Sequence, residues 1–440
     1  MKKIIALVLA SVMILSLVAC GGKDNKKGKA KDVLAVCLAS EPDSLDPALN
    51  SAVDGATMLA HLFQGLAKWT QDKDGNLVVV ADAAEELVEG VANADGTVTY
   101  TYKLRDGLKW SDGKAVTAKD YEFAWKRAAS TALGADYGYM FEVVDGYADD
   151  ALNVTATDEK TLVVTLANAV SYWNELLAFP TYFPVREDVV SDEGWATEAE
   201  TYVCNGPYKI ASWKHNSVIT LEKNADYVDA DSVTMKTLKF YLSDDSNNML
   251  TNFKNGDWLL IDDVPTNEIA TLKKDYADEF VVAGQIGTYY VSWNINEEVL
   301  PEGSTLKGAQ KLAAESEIRN AISLLFDRNY IVEKIAQGGQ VPASSFVAMG
   351  MTNPDGSEFY KKNVVSDDYY GYYDVASEAM EENYNSAIAT LKKYYTYDEA
   401  CWCYKVIYPC TVPCSGCLPG CVCRFYRNHC TGGHDVFHAQ

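Results

Sequence analysis

Leu104-Arg105-Asp106-Gly107-Leu108-Lys109-Trp110-Ser111-Asp112-Gly113 is the stretch on which the fold turns. Its Trp110-Ser111-Asp112-Gly113 end predicts a tight turn, because Asp hydrogen-bonds its own backbone there and Gly accepts positive φ. Upstream, Asp95-Gly96 marks another turn. Val98, Tyr100, Tyr102 and Leu104 then alternate with Thr99, Thr101 and Lys103, the two-residue period of a half-buried strand. Downstream, Thr117 stands three residues before Asp120, and Phe123, Ala124 and Ala128 follow, which predicts a capped amphipathic helix.

Working outward, Val33 to Ala39 is an apolar run suited to a buried strand, and Glu41 to Pro47, with two prolines, is a loop. Leu59, Leu62 and Phe63 form a helical stripe, and Thr161 to Leu166 is a further strand. Two strands flank His215-Asn216-Ser217 between Tyr208 and Leu221, Leu238 to Leu242 is strand-like, and a helix with Met249, Leu250 and Phe253 on one side follows Asp244. Tyr289 to Ile295 reads as an extended crossing segment. Ile318, Ala321, Ile322 and Leu325, and later Tyr384, Ile388, Leu391 and Tyr395, have the spacing of core-facing helices. Strands and helices mix without a regular βαβ repeat or internal duplication, so the fold class is mixed α/β.

The 440 residues suffice for two or three domains, with 48% hydrophobic and 23% charged residues as in ordinary globular proteins. Net charge is -24. Residues 1 to 32 hold seven lysines against Asp24 and Asp32, which leaves 31 basic and 60 acidic groups, a net of -29, for the rest. Such a surface argues against nucleic-acid binding, which needs a basic face. At the N-terminus, Lys2 and Lys3 precede the apolar run Ile4 to Leu17, too short for a comfortable bilayer span, and Leu17-Val18-Ala19-Cys20 follows. This resembles a bacterial lipoprotein signal, which implies cleavage after residue 19 and lipidation of Cys20, with residues 20–32 a basic linker.

Six segments then read together in order: Glu41-Pro42-Asp43-Ser44-Leu45-Asp46-Pro47, the stretch from Leu104 through Trp125, Asn205-Gly206-Pro207-Tyr208, Leu221-Glu222-Lys223-Asn224, Gly287-Thr288-Tyr289-Tyr290, and Ile318-Arg319-Asn320-Ala321 through Asp327-Arg328. Together they resemble the oligopeptide- and dipeptide-binding proteins of ATP-binding-cassette importers, solute-binding family 5. The likeness implies a periplasmic-binding-protein-like type II clamshell with an extra inserted domain. Domain I would take 33–70 and 200–285, domain II 71–199, and an incomplete domain III 286–400. Two lobes would close on a peptide and deliver it to a membrane permease, with the protein a monomer, held at the outer face of the cell membrane, and without cofactor or metal. By position, the resemblance makes Ser51, Ala52 and Val53 contacts to ligand backbone, Tyr137 a cleft tyrosine of domain II, and Tyr290, Ser292 and Asn294 residues near hinge and ligand. The Trp110-Ser111-Asp112-Gly113 turn and Asn205-Gly206-Pro207-Tyr208 are expected to be structural. The family also includes binders of nickel chelates and sugars.

Eight of the eleven cysteines crowd residues 401–440, where the resemblance ends. Cys414-Ser415-Gly416-Cys417 with nearby histidines could hold zinc or form disulfides. The favoured expectation is a shift of reading frame near residue 400, leaving a disordered tail, a truncated domain III and, in the extreme, a non-functional product. An enzyme is disfavoured: no G-x-S-x-G, H-E-x-x-H or phosphate loop occurs, and only His61 and His215 precede residue 400. An adhesion lipoprotein is the other rival.

Overall fold

The computed structural model describes residues 32–192, 194–343, 345–353, 355–359, 372–398, 403–405 and 421–423. Cys20 and most of the cysteine-rich tail lie outside them. Two compact units divide between Pro265 and Thr266.

In the first unit the chain runs through β1 (Val33–Ala39), α1 (Val53–Leu62), β2 (Ala67–Gln71), β3 (Leu77–Ala81), β4 (Val91–Ala92), β5 (Val98–Lys103), α2 (Ala118–Ala129), β6 (Val154–Ala156) and β7 (Thr161–Leu166). It continues with β8 (Tyr208–Lys214), β9 (Val218–Lys223), β10 (Thr237–Leu242) and α3 (Ser246–Asn255). The first strand pairs with the late ones, in the order β1-β10-β9-β8, with β1 parallel to β10 and the rest antiparallel. A second four-stranded sheet, β4-β5-β7-β6, is built entirely from residues between them, and β2 and β3 form a separate hairpin. The β1 run is buried only at Val36, Cys37 and Leu38. Its outer edge is met by an irregular segment, with Cys37 donating to the Leu260 carbonyl at 3.0 Å and Leu259 to that of Ala35 at 2.8 Å.

The decisive stretch folds as its chemistry demands. Tyr102, Leu104, Leu108 and Trp110 are buried, and Gly107 and Gly113 take φ of 82° and 86°, which favour glycine. Arg105 makes a bidentate pair with Asp229 (2.6 and 2.8 Å), lifting its own proton affinity and holding the carboxyl low. Ser111 and Cys204 exchange hydrogen bonds, Ser111 N–H to the Cys204 carbonyl at 2.7 Å and Cys204 N–H to Ser111 Oγ at 3.2 Å. The turn before α2 thereby grips the segment that returns to the first sheet. Asp120 accepts from the Thr117 N–H at 2.7 Å, capping α2. The buried face of α2 carries Tyr121 and Trp125; Trp125 donates to the Tyr182 carbonyl at 2.8 Å and meets Trp173 edge-on at 6.1 Å.

Asn205-Gly206 is structural in the same sense. Asn205 brackets the Gln64 backbone, accepting its N–H at 2.9 Å and donating to its carbonyl at 3.1 Å. A Cβ on Gly206 would stand 2.5 Å from the Leu62 carbonyl carbon, so only glycine permits this approach.

The second unit contains α4 (Ile269–Asp275), α5 (Gly308–Ser323) and α6 (Ser377–Leu391), followed by the short strands β11 (Tyr397–Asp398), β12 (Cys403–Lys405) and β13 (Cys421–Cys423), which pair antiparallel in that order. Ala314, Ile318 and Ala321 of α5 pack with Ala387, Leu391 and Tyr395, and Leu300 completes the cluster. One expectation is corrected here: residues 289–295, read as an extended crossing strand, form no ladder. Tyr289 is 92% exposed, and Val291 and Ile295 are exposed with it. A strand needs paired edges or a buried face, and this segment has neither among the described residues.

Candidate functional site

The loop from β1 to α1 is built from beneath. Asp46, only 2% exposed, accepts a bidentate pair from Arg127 of α2 (3.0 and 2.6 Å) and the Ala48 N–H at 3.0 Å. Tyr202 donates its hydroxyl to the Leu45 carbonyl at 2.6 Å, and Leu45 and Ala48 are buried. Asn50, also buried, donates to the Ala52 carbonyl at 3.1 Å, and Gly55 leaves it room, since a Cβ there would lie 1.9 Å from Asn50 Oδ1. What this scaffold holds up is Ser51, Ala52 and Val53. Ser51 is exposed, Ala52 half-buried, and Val53 is 86% exposed at the first position of α1. Fixed loops on a rigid scaffold are where binding residues are most often carried.

At the start of the same loop, Glu41 gathers three donors: Trp213 Nε1 at 2.6 Å, His215 Nδ1 at 2.9 Å and the Asn216 N–H at 2.5 Å. His215 also lies 3.7 Å from Glu198. The hydrogen bond to Glu41 raises the His215 pKa above 6.5. His61, on α1, behaves oppositely: burial lowers its pKa, although Nδ1 lies 2.7 Å from the Thr57 carbonyl oxygen.

Tyr137 sits in the turn after α2, half-buried, edge-on to Phe179 at 5.1 Å and 6.2 Å from the exposed Tyr139. The loop tip and Tyr137 are thus both tied to α2, through Arg127 in one case and chain continuity in the other. Tyr290, Ser292 and Asn294 belong to the second unit and are exposed there. Tyr290 meets Phe346 edge-on at 5.0 Å, and Asn294 Oδ1 accepts the Asn296 N–H at 3.1 Å.

The supporting residues Arg127, Tyr202 and Asn50 were not singled out from the sequence. Arg127 lies outside the apolar stripe that defines its helix, and only the fold brings it under Asp46. Among the described residues no three His, Cys, Asp or Glu side chains gather as a metal site, and no helix is long and apolar enough to cross a membrane. With a fixed backbone and exposed apolar and aromatic side chains, the arrangement suits recognition.

Comparison with known proteins agrees in kind. The model of the bacterial extracellular solute-binding proteins, family 5, middle region, matches residues 79–395. The chain is 32% identical over 426 residues to the oligopeptide-binding protein OppA of Bacillus subtilis, covering 91% of this chain and 73% of that one. It is 30% identical to the dipeptide-binding protein DppE of the same organism, covering 90% and 73%. Among solved structures, OppA of Haemophilus influenzae in complex with the peptide RPPGFSPFR is similar at a TM-score of 0.66, with 26% identity over 84% of this chain and 68% of that one. OppA of Burkholderia pseudomallei matches with the same TM-score at 27% identity, covering 83% and 67%.

Proposed function

The chain belongs to the bacterial extracellular solute-binding proteins of family 5, and from that premise we propose that it captures peptides outside the cell and hands them to the permease of an ATP-binding-cassette importer. The observation that carries this is the loop tip Ser51 to Val53, exposed at Ser51 and Val53 on a scaffold locked by the pairing of the buried Asp46 with Arg127. A receptor for peptides of varied sequence must draw its affinity from the backbone that all of them share, and a pre-formed loop presenting its own backbone meets that need without an ordering cost. The aromatic surface at Tyr137 and Tyr139 adds sequence-tolerant contact area.

In this reading domain I takes 33–70 and 200–285, domain II 71–199 and domain III the following residues. Tyr290, Ser292 and Asn294 contribute on closure, favoured only when ligand touches both lobes. The protein acts as a monomer without catalysis, anchored through lipid on Cys20 and the basic linker. The kinship to OppA and DppE supports peptide over nickel chelate or sugar.

The test is intrinsic fluorescence of the full chain, which has nine tryptophans, titrated with a mixture of short peptides. A saturable change that weakens in Val53→Asp supports capture. A folded protein silent to peptides but responsive to a nickel chelate or an oligosaccharide would replace the peptide reading with that ligand. Labelled fatty acid that enters the native chain but not Cys20→Ser would establish the anchor, and equal labelling of both would refute it.

A further inference from the structure

The first unit carries a second concavity, lined by none of the residues assigned above to the ligand. A cavity of about 380 Å³ is bounded by Lys126, Ala129, Tyr147, Asp150, Ala151 and Leu152. That volume falls within the range of small-molecule sites. One wall is the last turn of α2; the other is a tight turn held in a demanding conformation. Gly146 and Asp150 take φ of 78° and 53°, and a Cβ on Gly146 would stand 2.2 Å from the Ala151 carbonyl oxygen. The turn is locked by Ala151 N–H donating to Gly146 O at 3.0 Å, by Asp150 N–H to Tyr147 O at 3.1 Å, and by Thr131 N–H to Asp150 Oδ1 at 3.1 Å. A non-glycine residue in the left-handed region persists where the surroundings over-determine it.

The charged groups lining this cavity are Lys126 and Asp150, both exposed, and they differ in how they are paired. Lys126 is committed to Glu122 at 2.6 Å, and Arg127 to Asp46, so neither basic side chain of that turn is unpaired. Asp150 has no cationic partner among the described residues, and the only donor to its side chain is the Thr131 N–H. The C-terminal end of α2 adds the partial negative charge of its last carbonyls. Tyr147 is the aromatic member of the lining, a side-chain type that attracts cations, and Leu152, Ala129 and Ala151 make it aliphatic elsewhere. The acidic body, net -29 beyond residue 32, raises the local concentration of any cation.

We propose that this cavity is a second ligand site, one that takes a small organic cation, a guanidinium or primary ammonium on a short aliphatic stem. The charged head pairs with Asp150 against the Tyr147 ring, and the stem lies along Leu152 and the two alanines. The site is independent of peptide capture and does not require it.

The experiment is calorimetric titration of the full chain with butylguanidinium and with butylurea, nearly identical in shape but neutral. Saturable binding of the cation, at least tenfold weaker for the urea and weakening with salt, is expected. Asp150→Asn should lose at least tenfold for the cation. It should still fold, because Asn tolerates the left-handed region and its Oδ1 can accept from Thr131. Tyr147→Leu, which leaves the strained residues untouched, should lose a few-fold. Equal affinity for the two probes, unchanged binding in both variants, or no saturable heat up to about 10 mM would each overturn the assignment.

Discussion

Replacing Arg127 by Met tests the scaffold of the loop directly. Asp46 is 3% exposed in its side chain and Arg127 17%, so the carboxylate is buried, the guanidinium half-buried, and solvent does little to screen the pair. Met fills much of the same volume but leaves the Asp46 carboxylate with the Ala48 backbone N–H as its remaining donor among the described residues. Removing one partner of a buried ion pair costs about 3–5 kcal/mol, because the other charge stays in low dielectric uncompensated. For a unit of this size, each kcal/mol corresponds to about 2–4 °C in Tm, so a loss of about 6–20 °C is expected. Tryptophan fluorescence during thermal and urea unfolding is a suitable assay, since Trp110, Trp125 and Trp173 report from the core of the first unit. Peptide affinity should fall about tenfold or more, as the loop loses its anchor. The double variant Asp46→Asn/Arg127→Met removes the stranded charge and should regain a good part of the loss. A cost below about 1 kcal/mol for Arg127→Met, or a double variant no more stable than that single one, would refute the account of the loop as an ion-pair-locked platform.

Asn205→Ala strands the buried Gln64 N–H, while the Gln64 carbonyl keeps the Tyr121 hydroxyl as donor, and should cost about 1–3 kcal/mol, read by urea unfolding. Gly206→Ala forces a Cβ against the Leu62 and Phe63 backbone and should destabilise by about 1–3 kcal/mol in the same assay. The two histidines of the body should titrate in opposite senses by NMR. His61, lowered from 6.5 by burial, contributes stability above its unfolded value that is lost as pH falls toward its folded one; His215, raised by Glu41, contributes below about 6.5 and loses it as pH rises through its folded value. Glu41→Gln should bring His215 back toward 6.5, and an unmoved His215 would deny the contact. Cys204, whose thiol pKa is pushed up to about 12 by burial, should resist alkylation in the native protein and react after unfolding, checked by peptide mapping.

How much of this was legible in the sequence depended on whether a residue's partner was near in the chain. Thr117 and Asp120 are three residues apart, and the helix they cap was read correctly; so were the alternation of β5 and the turn at Asn216, which takes φ of 55°. The class of fold and the family kinship rest on the same local signals, spread along the chain in order. What could not be read is long-range. Asp46 and Arg127 stand 81 residues apart, Leu45 and Tyr202 157, Gln64 and Asn205 141, and nothing in periodicity tells an arginine paired to a buried carboxylate from a solvated one on a helix flank.

The segment at 289–295 shows the same limit from the other side. Tyr289, Val291, Trp293 and Ile295 have strong strand propensity, yet they stand exposed without a ladder. Propensity states only that a residue fits a pleated, half-buried surface, and the surface itself must come from elsewhere in the fold. The loop at Ser51 to Val53 makes the converse case: no propensity marks it, and it is fixed by Asp46, Asn50 and Arg127. In both places the decisive information is what the segment rests on. The rigidity of the proposed platform is therefore read from its supports, and Arg127 marks it more directly than the exposed Val53 does.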